Sequence, residues 1–286
     1  MSATAEVGVV LHSTRPEASR LARELIAELT AGGHSVHLPA PDAELIGVPE
    51  LADGRFGRGL DLAVSLGGDG TMLRTVELVS PCGVPVIGVN VGHLGYLTEV
   101  EPSALFESLD RFFAGNFAIE ERMLLAVSVI PAAGRGAPSH RLALNEAVVE
   151  KTLSGHTVRI DVAIDGAYFM TFAADGLIVA TPTGSTAYAL SARGPIIAPT
   201  HRALLLTPVS PHMLFDRSLI LDPGTDLRLT VLDRPGALIV DGRFLGELAP
   251  GDSIGCTGAE VTARLVTFRP RNFHQILKTK FGLNDR

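Results

Sequence analysis

Leu62-Ala63-Val64-Ser65-Leu66-Gly67-Gly68-Asp69-Gly70-Thr71-Met72-Leu73-Arg74 decides the architecture. Leu62–Leu66 is a short apolar run suited to a buried strand. Beyond the glycines, Met72, Leu73, Val76 and Val79 fall on one face at helical spacing. Strand, glycine turn and helix start make the layout of a phosphate site: glycines let the backbone approach a ligand, and the first helical N–H groups point at it. Asp69 does not suit a plain phosphate cradle, because a carboxylate repels phosphates unless it holds a metal or takes a proton from a nucleophile. The plainer alternative is that Asp69 or Thr71 caps the helix.

Working outward, the first third reads as α/β. Val7–Leu11 is a strand, and Pro16–Thr30 a helix with Ala18, Leu21, Ala22, Leu25, Ile26 and Leu29 on one face. Gly32-Gly33 stops that helix. Ser35–Leu38 and Val84–Val89 are further strands, and residues 39–60 read as loop with one short helix. Strand, helix, strand at this spacing predicts a parallel sheet with crossover helices. Pro102–Gly115 reads as a helix with Leu105, Phe106, Leu109, Phe112 and Phe113 on one face.

Near Phe117 the character changes to short strands: Leu124–Ile130, Leu142–Glu150, Thr157–Ile164, Ala167–Phe172, Leu177–Ala180, Leu227–Leu232, Ala237–Val240 and Val261–Thr267. Asp165-Gly166 and Asp241-Gly242 lie between such runs, and an Asp-Gly pair suits the positive φ angles of a type I′ hairpin turn. The expected organisation is an α/β domain over 1–117, a β-rich, sandwich-like domain over 118–268, and a C-terminal helix in 269–286 that packs back on the first.

Size and composition are consistent with this. The 286 residues are 46% hydrophobic and 19% charged, which excludes a disordered chain. By size scaling, roughly 73% of the unfolded surface is buried on folding, enough for one or two cores. A net charge of −7 argues against nucleic acid as a partner. The apolar runs fall short of a membrane span, and Met1–Val10 lacks a secretory pattern. Cys82 and Cys256, without a Cys-x-x-Cys pair, read as free, partly buried thiols in a reducing cytoplasm.

Three more segments carry polar groups where strands end. Asn90–Leu97 brings His93, a structural histidine by default, and Tyr96, which can stack on a base. Asn145-Glu146 lies in the strand pattern Leu142–Glu150; an amide can pair with a purine edge and a carboxylate can accept ribose hydroxyls. Asp175–Ser191 runs from a buried strand into a hydroxyl-rich turn and a short helix. Thr183, Ser185 or Thr186 can cap that helix and Gly194 can close it, but the hydroxyls exceed what capping needs. Arg74, one turn into the Asp69 helix, is either solvated or aimed at a phosphate. Asp241 reads as a turn residue, and His156 as a loop residue.

Together and in this order, Gly67–Thr71, Asn90–Leu97, Asn145-Glu146 and Asp175–Ser191 resemble bacterial-type NAD kinases. The first segment is shared with lipid kinases; the others are more specific. The resemblance implies an α/β domain joined to a β-rich domain, with nucleotide sites in the crevice between them. It implies transfer of the terminal phosphate of ATP or polyphosphate to the 2′-hydroxyl of the adenosine ribose of NAD. Asp69 matches the general base, and Gly70 and Tyr96 match the NAD site. Asn145 and Glu146 match the adenine and ribose pair. Asp175, Thr183, Thr186, Ala187, Tyr188 and Ser191 match the segment that holds the nicotinamide half, partly from a neighbouring subunit. Arg74 and His156 match weaker binding positions. A divalent cation, Mg²⁺, would be carried by the phosphate donor rather than by a protein cage, and a homodimer or homotetramer is expected. One departure is Ala173, where many relatives carry a basic residue. Two other readings remain open: a lipid or small-alcohol kinase, and a non-catalytic dinucleotide sensor.

Overall fold

The computed structural model describes residues 4–92, 95–133, 136–270 and 272–282. The chain divides into two compact units, Met1–Glu121 with Ala263–Arg286, and Arg122–Thr262.

In the first unit, β1 (Glu6–Leu11), α1 (Pro16–Ala31), β2 (Ser35–His37), α2 (Ala40–Ile46), β3 (Leu62–Gly67), α3 (Asp69–Val79), β4 (Pro85–Asn90) and α4 (Leu105–Phe113) follow in turn. The strand order is β2-β1-β3-β4, all parallel. β3 is buried along its whole length, as a strand covered on both faces must be. The order reverses direction between β1 and β3, the switch point where open α/β sheets bind ligands at their carboxyl edge. α1 buries Ala18, Leu21, Ala22, Leu25 and Leu29, the face expected from the helical period. Residues 39–60 contain α2 and a 3₁₀ turn, Pro49–Leu51. On α4, Phe106 is exposed, contrary to the expected apolar face: Leu105 and Leu109 enter the core and Phe106 points away.

The second unit continues with β5 (Ala118–Ile130), β6 (Ser139–Ala143), β7 (Glu146–Lys151), β8 (Val158–Ile164), β9 (Ala167–Ala174), β10 (Gly176–Ala180), α5 (Tyr188–Ser191), β11 (Leu204–Val209), β12 (Leu219–Leu221), β13 (Leu227–Val231), β14 (Gly236–Val240), β15 (Arg243–Leu248) and β16 (Ser253–Thr267). One antiparallel sheet runs β12-β11-β10-β7-β14-β15. The other brings together β16, β13, β8 and β9, with β5 on β16 and β6 on β5. Their inner faces share one core: Val158, Ile160 and Val162 of β8 alternate inward, as do Leu177 and Val179 of β10. The opposite face of β10, Ile178 and Ala180, is covered by Ala189 of α5.

Both Asp-Gly turns take positive φ at each position, Asp165 51° with Gly166 78° and Asp241 47° with Gly242 75°, as type I′ requires. The expected strand Leu142–Glu150 is instead broken into β6 and β7 at Leu144-Asn145. No hydroxyl caps α5, because Ser185 and Thr186 turn to backbone carbonyls within their own loop. Arg193, at φ 64°, takes the left-handed position expected of Gly194, which instead lies tight against the Ala189 carbonyl. β11, β12 and β15 were not among the expected strands. β16 is longer than expected: its start pairs with β13, and Arg264 and Leu265 pair in parallel with β4. The last helix, α6 (Phe273–Lys280), belongs to the first unit. Cys256 is buried and Cys82 exposed, so they do not share the partly buried setting expected of them.

Candidate active site

In the first unit the ends of β1, β3 and β4 meet around a cavity of about 540 Å³. His12 and Arg15 come from the loop after β1, Gly68–Thr71 from the turn after β3, and Gly95 and Tyr96 from the loop after β4. The loops are stitched to the sheet: the His12 amide donates to the Leu66 carbonyl at 2.9 Å, and the Val91 amide to the Gly67 carbonyl at 2.9 Å.

Asp69 is the first residue of α3, and Gly68 occupies the capping position, so neither Asp69 nor Thr71 caps the helix. The Asp69 carboxylate instead accepts the Tyr96 amide at 2.8 Å and the Leu97 amide at 3.0 Å. These bonds fix its orientation along one wall of the cavity. Gly95 is required here, because a Cβ at that position would land on the Asp69 carboxylate. His93 and Leu94, of the same loop, lie outside the described residues.

The cavity is rich in positive charge. Arg74 lines it, and its guanidinium also pairs with Asp42 and reaches the Leu11 carbonyl at 3.4 Å. Asp42 is buried and accepts the Leu11 amide at 2.9 Å, so Arg74 is held in place rather than free in solvent. Arg15 donates to the Val91 carbonyl. Lys280 of α6 sits 5.1 Å from the centre of the Tyr96 ring. Burial and the Asp69 charge push the Tyr96 hydroxyl pKa upward. Arg15, His12 and Lys280 were missed from the sequence: they lie far from the glycine motif along the chain, and only the parallel sheet and α6 bring them to it.

The second unit gathers another set. Asp241 uses its carboxylate to accept the amides of Leu144 at 2.7 Å, Asn145 at 2.8 Å and Glu146 at 3.1 Å. It is therefore more than a turn residue; it shapes the break that presents Asn145 and Glu146. Thr181 completes the clamp, its amide donating to the Asn145 carbonyl at 2.8 Å and its hydroxyl to the Leu144 carbonyl at 2.5 Å. Gly184 lies so close that a Cβ would strike the Asn145 carbonyl. Thr183 accepts a bond from the buried Arg122 at 3.3 Å.

Glu146 is 6% exposed, and its Oε2 has no hydrogen-bond partner. Burial first, then the Asp241 charge, pushes its pKa up to about 8, against the opposing pull of a backbone bond at Tyr188. Tyr188 is 37% exposed, and burial together with the charges of Glu150, Asp175 and Glu146 raises its pKa. Asp175 pairs with Lys151 at 2.6 Å. Glu146, Asp175 and Tyr188 are thus brought together, with Thr183, Thr186 and Ala187 on the adjoining turn. Ser191 is exposed at the end of α5, and His156 is exposed in the loop after β7. Ala173 faces Arg159 across the β8–β9 pair.

Among the described residues no group of three or more His, Cys, Asp or Glu could hold a metal ion. Nor is any helix among them long and apolar enough to cross a membrane.

Comparison with known proteins covers both units. Residues 49–117 match the family model of the ATP-NAD kinase N-terminal domain, and residues 144–268 that of the ATP-NAD kinase C-terminal domain. A protein named NAD kinase from Heliobacterium modesticaldum is 45% identical over 279 residues, covering 96% of this chain and 97% of its own length. One so named from Symbiobacterium thermophilum is 39% identical over 278 residues, covering 96% of this chain and 98% of its own. The crystal structure of yeast NADH kinase complexed with NADH superposes with a TM-score of 0.89 at 25% identity, over 99% of this chain and 89% of that one. An NAD kinase from Archaeoglobus fulgidus in complex with ATP shares the fold, with a TM-score of 0.72 at 24% identity over 98% of this chain and 100% of that one. With both halves matched in order and relatives aligned along nearly the whole length, this chain belongs to the NAD kinase family.

Proposed function

We infer that this protein is an NAD kinase, transferring the terminal phosphate of ATP or polyphosphate to the 2′-hydroxyl of the adenosine ribose of NAD to give NADP. The observation that carries the reading is Asp69, a carboxylate oriented by two backbone amides in a cavity walled by Arg15, Arg74 and Lys280. A lipid kinase would not need the Asn145-Glu146 clamp, and a passive sensor would not need an acid among cations.

Phosphoryl transfer depends on positioning and charge neutralisation. Arg15, Arg74, Lys280 and the N-terminus of α3 oppose the charge of the donor phosphates. Asp69 accepts the proton of the attacking ribose hydroxyl; Gly70 lets the sugar approach. Glu146 and Asn145 take the adenosine, the unpartnered Glu146 Oε2 accepting a hydroxyl, and Tyr96 gives a stacking face. Asp175, Tyr188, Thr183, Thr186, Ala187 and Ser191 offer the polar and aromatic surface for the nicotinamide half, with His156 as an outlying contact.

A hard divalent cation, Mg²⁺, would arrive on the donor phosphates with phosphate and water oxygens as its ligands; the cavity around Asp69, without a cluster of carboxylates or histidines among its described residues, fits a cation carried in this way. When bound, such a cation would supply charge neutralisation at the phosphates. The exposed aromatics Tyr168 and Phe169 on β9 and Phe244 on β15 support assembly into a homodimer or homotetramer, and the free thiols suit the cytoplasm.

Incubation of the purified protein with NAD, Mg²⁺ and either ATP or polyphosphate tests the reading, with NADP detected by a dehydrogenase strict for it. Formation of NADP with at least one donor is expected; none with either donor overturns it.

A further inference from the structure

The sheet of the first unit has a gap beside the end of β1. β2 pairs with β1 only as far as Gly8, opposite His37. The His12 amide donates to Leu66 of β3, so the peptide groups of Leu11, one residue earlier, face the side that β2 has left. Leu11 is fully buried, and its backbone groups need partners there. Asp42 and Arg74 take the place of the missing strand. Asp42 Oδ2 accepts the Leu11 amide at 2.9 Å, and Arg74 Nη1 donates to the Leu11 carbonyl at 3.4 Å. Arg74 Nη2 closes the ring by donating to Asp42 Oδ1.

The two partners stand in different surroundings. Asp42 is 2% exposed and lies behind the wall of the catalytic cavity, whereas Arg74 lines that cavity. α2 fixes Asp42 by burying Ala43 and Ile46 in the core on either side of its turn. For stability alone a buried ion pair has little value, because apolar residues of the same volume serve such a position as well. Its effect is on the guanidinium. Each terminal nitrogen of Arg74 carries two N–H groups, and the anchor needs one of each. A free arginine gives up rotamer freedom when it meets a ligand, and this one has given it up on folding.

We propose that Asp42 is a positioning residue for the phosphate donor: it ties the Arg74 guanidinium to the end of β1, so that the cation is already oriented in the cavity when a chain of phosphates enters. Asp42 touches no substrate and acts through Arg74. The inference rests on the kinase reading for the class of ligand, the linked phosphates that ATP and polyphosphate share.

The test is titration calorimetry of the full chain with inorganic tripolyphosphate, and with NAD in parallel. Asp42→Asn leaves one acceptor oxygen for two donors and removes the charge that holds Arg74. Tripolyphosphate should then bind at least about threefold more weakly, with NAD affinity unchanged. Arg74→Gln should weaken tripolyphosphate binding at least about tenfold, as loss of a charge-assisted hydrogen bond does. That variant strands a buried carboxylate and lowers the melting midpoint, so the decisive protein carries Asp42→Asn and Arg74→Gln together, with no stranded charge. It should bind tripolyphosphate no more weakly than Arg74→Gln alone, because Asp42 has nothing left to position. Unchanged or stronger binding in Asp42→Asn, an equal loss of NAD affinity, losses that add in the double variant, or no binding by the unaltered protein would each overturn the proposal. A protein that shows the expected tripolyphosphate pattern yet forms no NADP would overturn the kinase reading and leave the role of Asp42 standing.

Discussion

The Asp69 carboxylate accepts the backbone amide of Tyr96 at 2.8 Å, so the glycine turn after β3 is fastened to the loop after β4. A side chain anchored in this way is oriented before any substrate arrives. Asp69→Asn keeps the shape and one acceptor but loses the base. Turnover should fall by about 10²–10⁴, the usual contribution of a general base. NAD affinity should be nearly unchanged, and titration calorimetry beside initial-rate measurements separates the two.

Gly95→Ala attacks the same anchor from the other side. Its Cβ would land on the carboxylate, so Asp69 must leave the Tyr96 and Leu97 amides. We expect turnover to drop as far as in Asp69→Asn, with a melting midpoint lowered by the overpacking, typically ~1–3 kcal/mol. A Gly95→Ala enzyme with ordinary rates would show that the anchoring is dispensable.

Glu146 makes stability depend on pH. Its pKa rises from 4.5 to about 8 on folding, so between these values the folded state binds the extra proton. Stability from this group is complete below about pH 4.5 and is lost as the pH rises through about 8, an effect on the order of a few kcal/mol. Glu146→Gln should flatten that part of the profile. Thermal melts of the two proteins across this window check it; parallel curves would contradict the assignment.

Asp241 acts on the same group at close range. Asp241→Asn removes a negative charge that raises the Glu146 pKa and weakens the bonds to the Leu144, Asn145 and Glu146 amides. The midpoint of the pH–stability profile should move down, and NAD should bind more weakly because Asn145 and Glu146 lose their fixed turn. An unshifted midpoint with intact affinity would leave Asp241 as a hairpin residue only.

Thiol chemistry gives a test independent of any substrate. Burial pushes the Cys256 pKa up to about 12, whereas Cys82 is exposed. An aromatic disulfide reagent should label Cys82 in the native protein and reach Cys256 only on unfolding. Rapid labelling of both in native buffer would contradict the burial of β16.

Much of this was legible from local pattern. The run Leu62–Leu66, the glycines and the helical spacing after them placed β3 and α3, and the Asp-Gly pairs placed two hairpin turns, because each depends on residues next to one another. The break at Leu144-Asn145 was not legible. Apolar residues flank Asn145-Glu146 on both sides as in one continuous strand, and the turn is imposed by Asp241, which approaches only when β14 pairs with β7. Arg15 and Lys280 escaped notice for the same reason: no local signal marks a cation whose partners arrive from other strands. Arg74 was ambiguous because its restraint, Asp42, comes from α2.

β16 has a consequence for biosynthesis. Its residues Arg264 and Leu265 supply the partner for β4, yet they are translated long after β4 itself. While the ribosome is still making the intervening residues, the free edge of β4 is an open template for the wrong strand. The first unit must therefore wait for Arg264 and Leu265 to be made before its sheet is complete, and a chaperone that shields β4 during that wait would raise the yield of native protein.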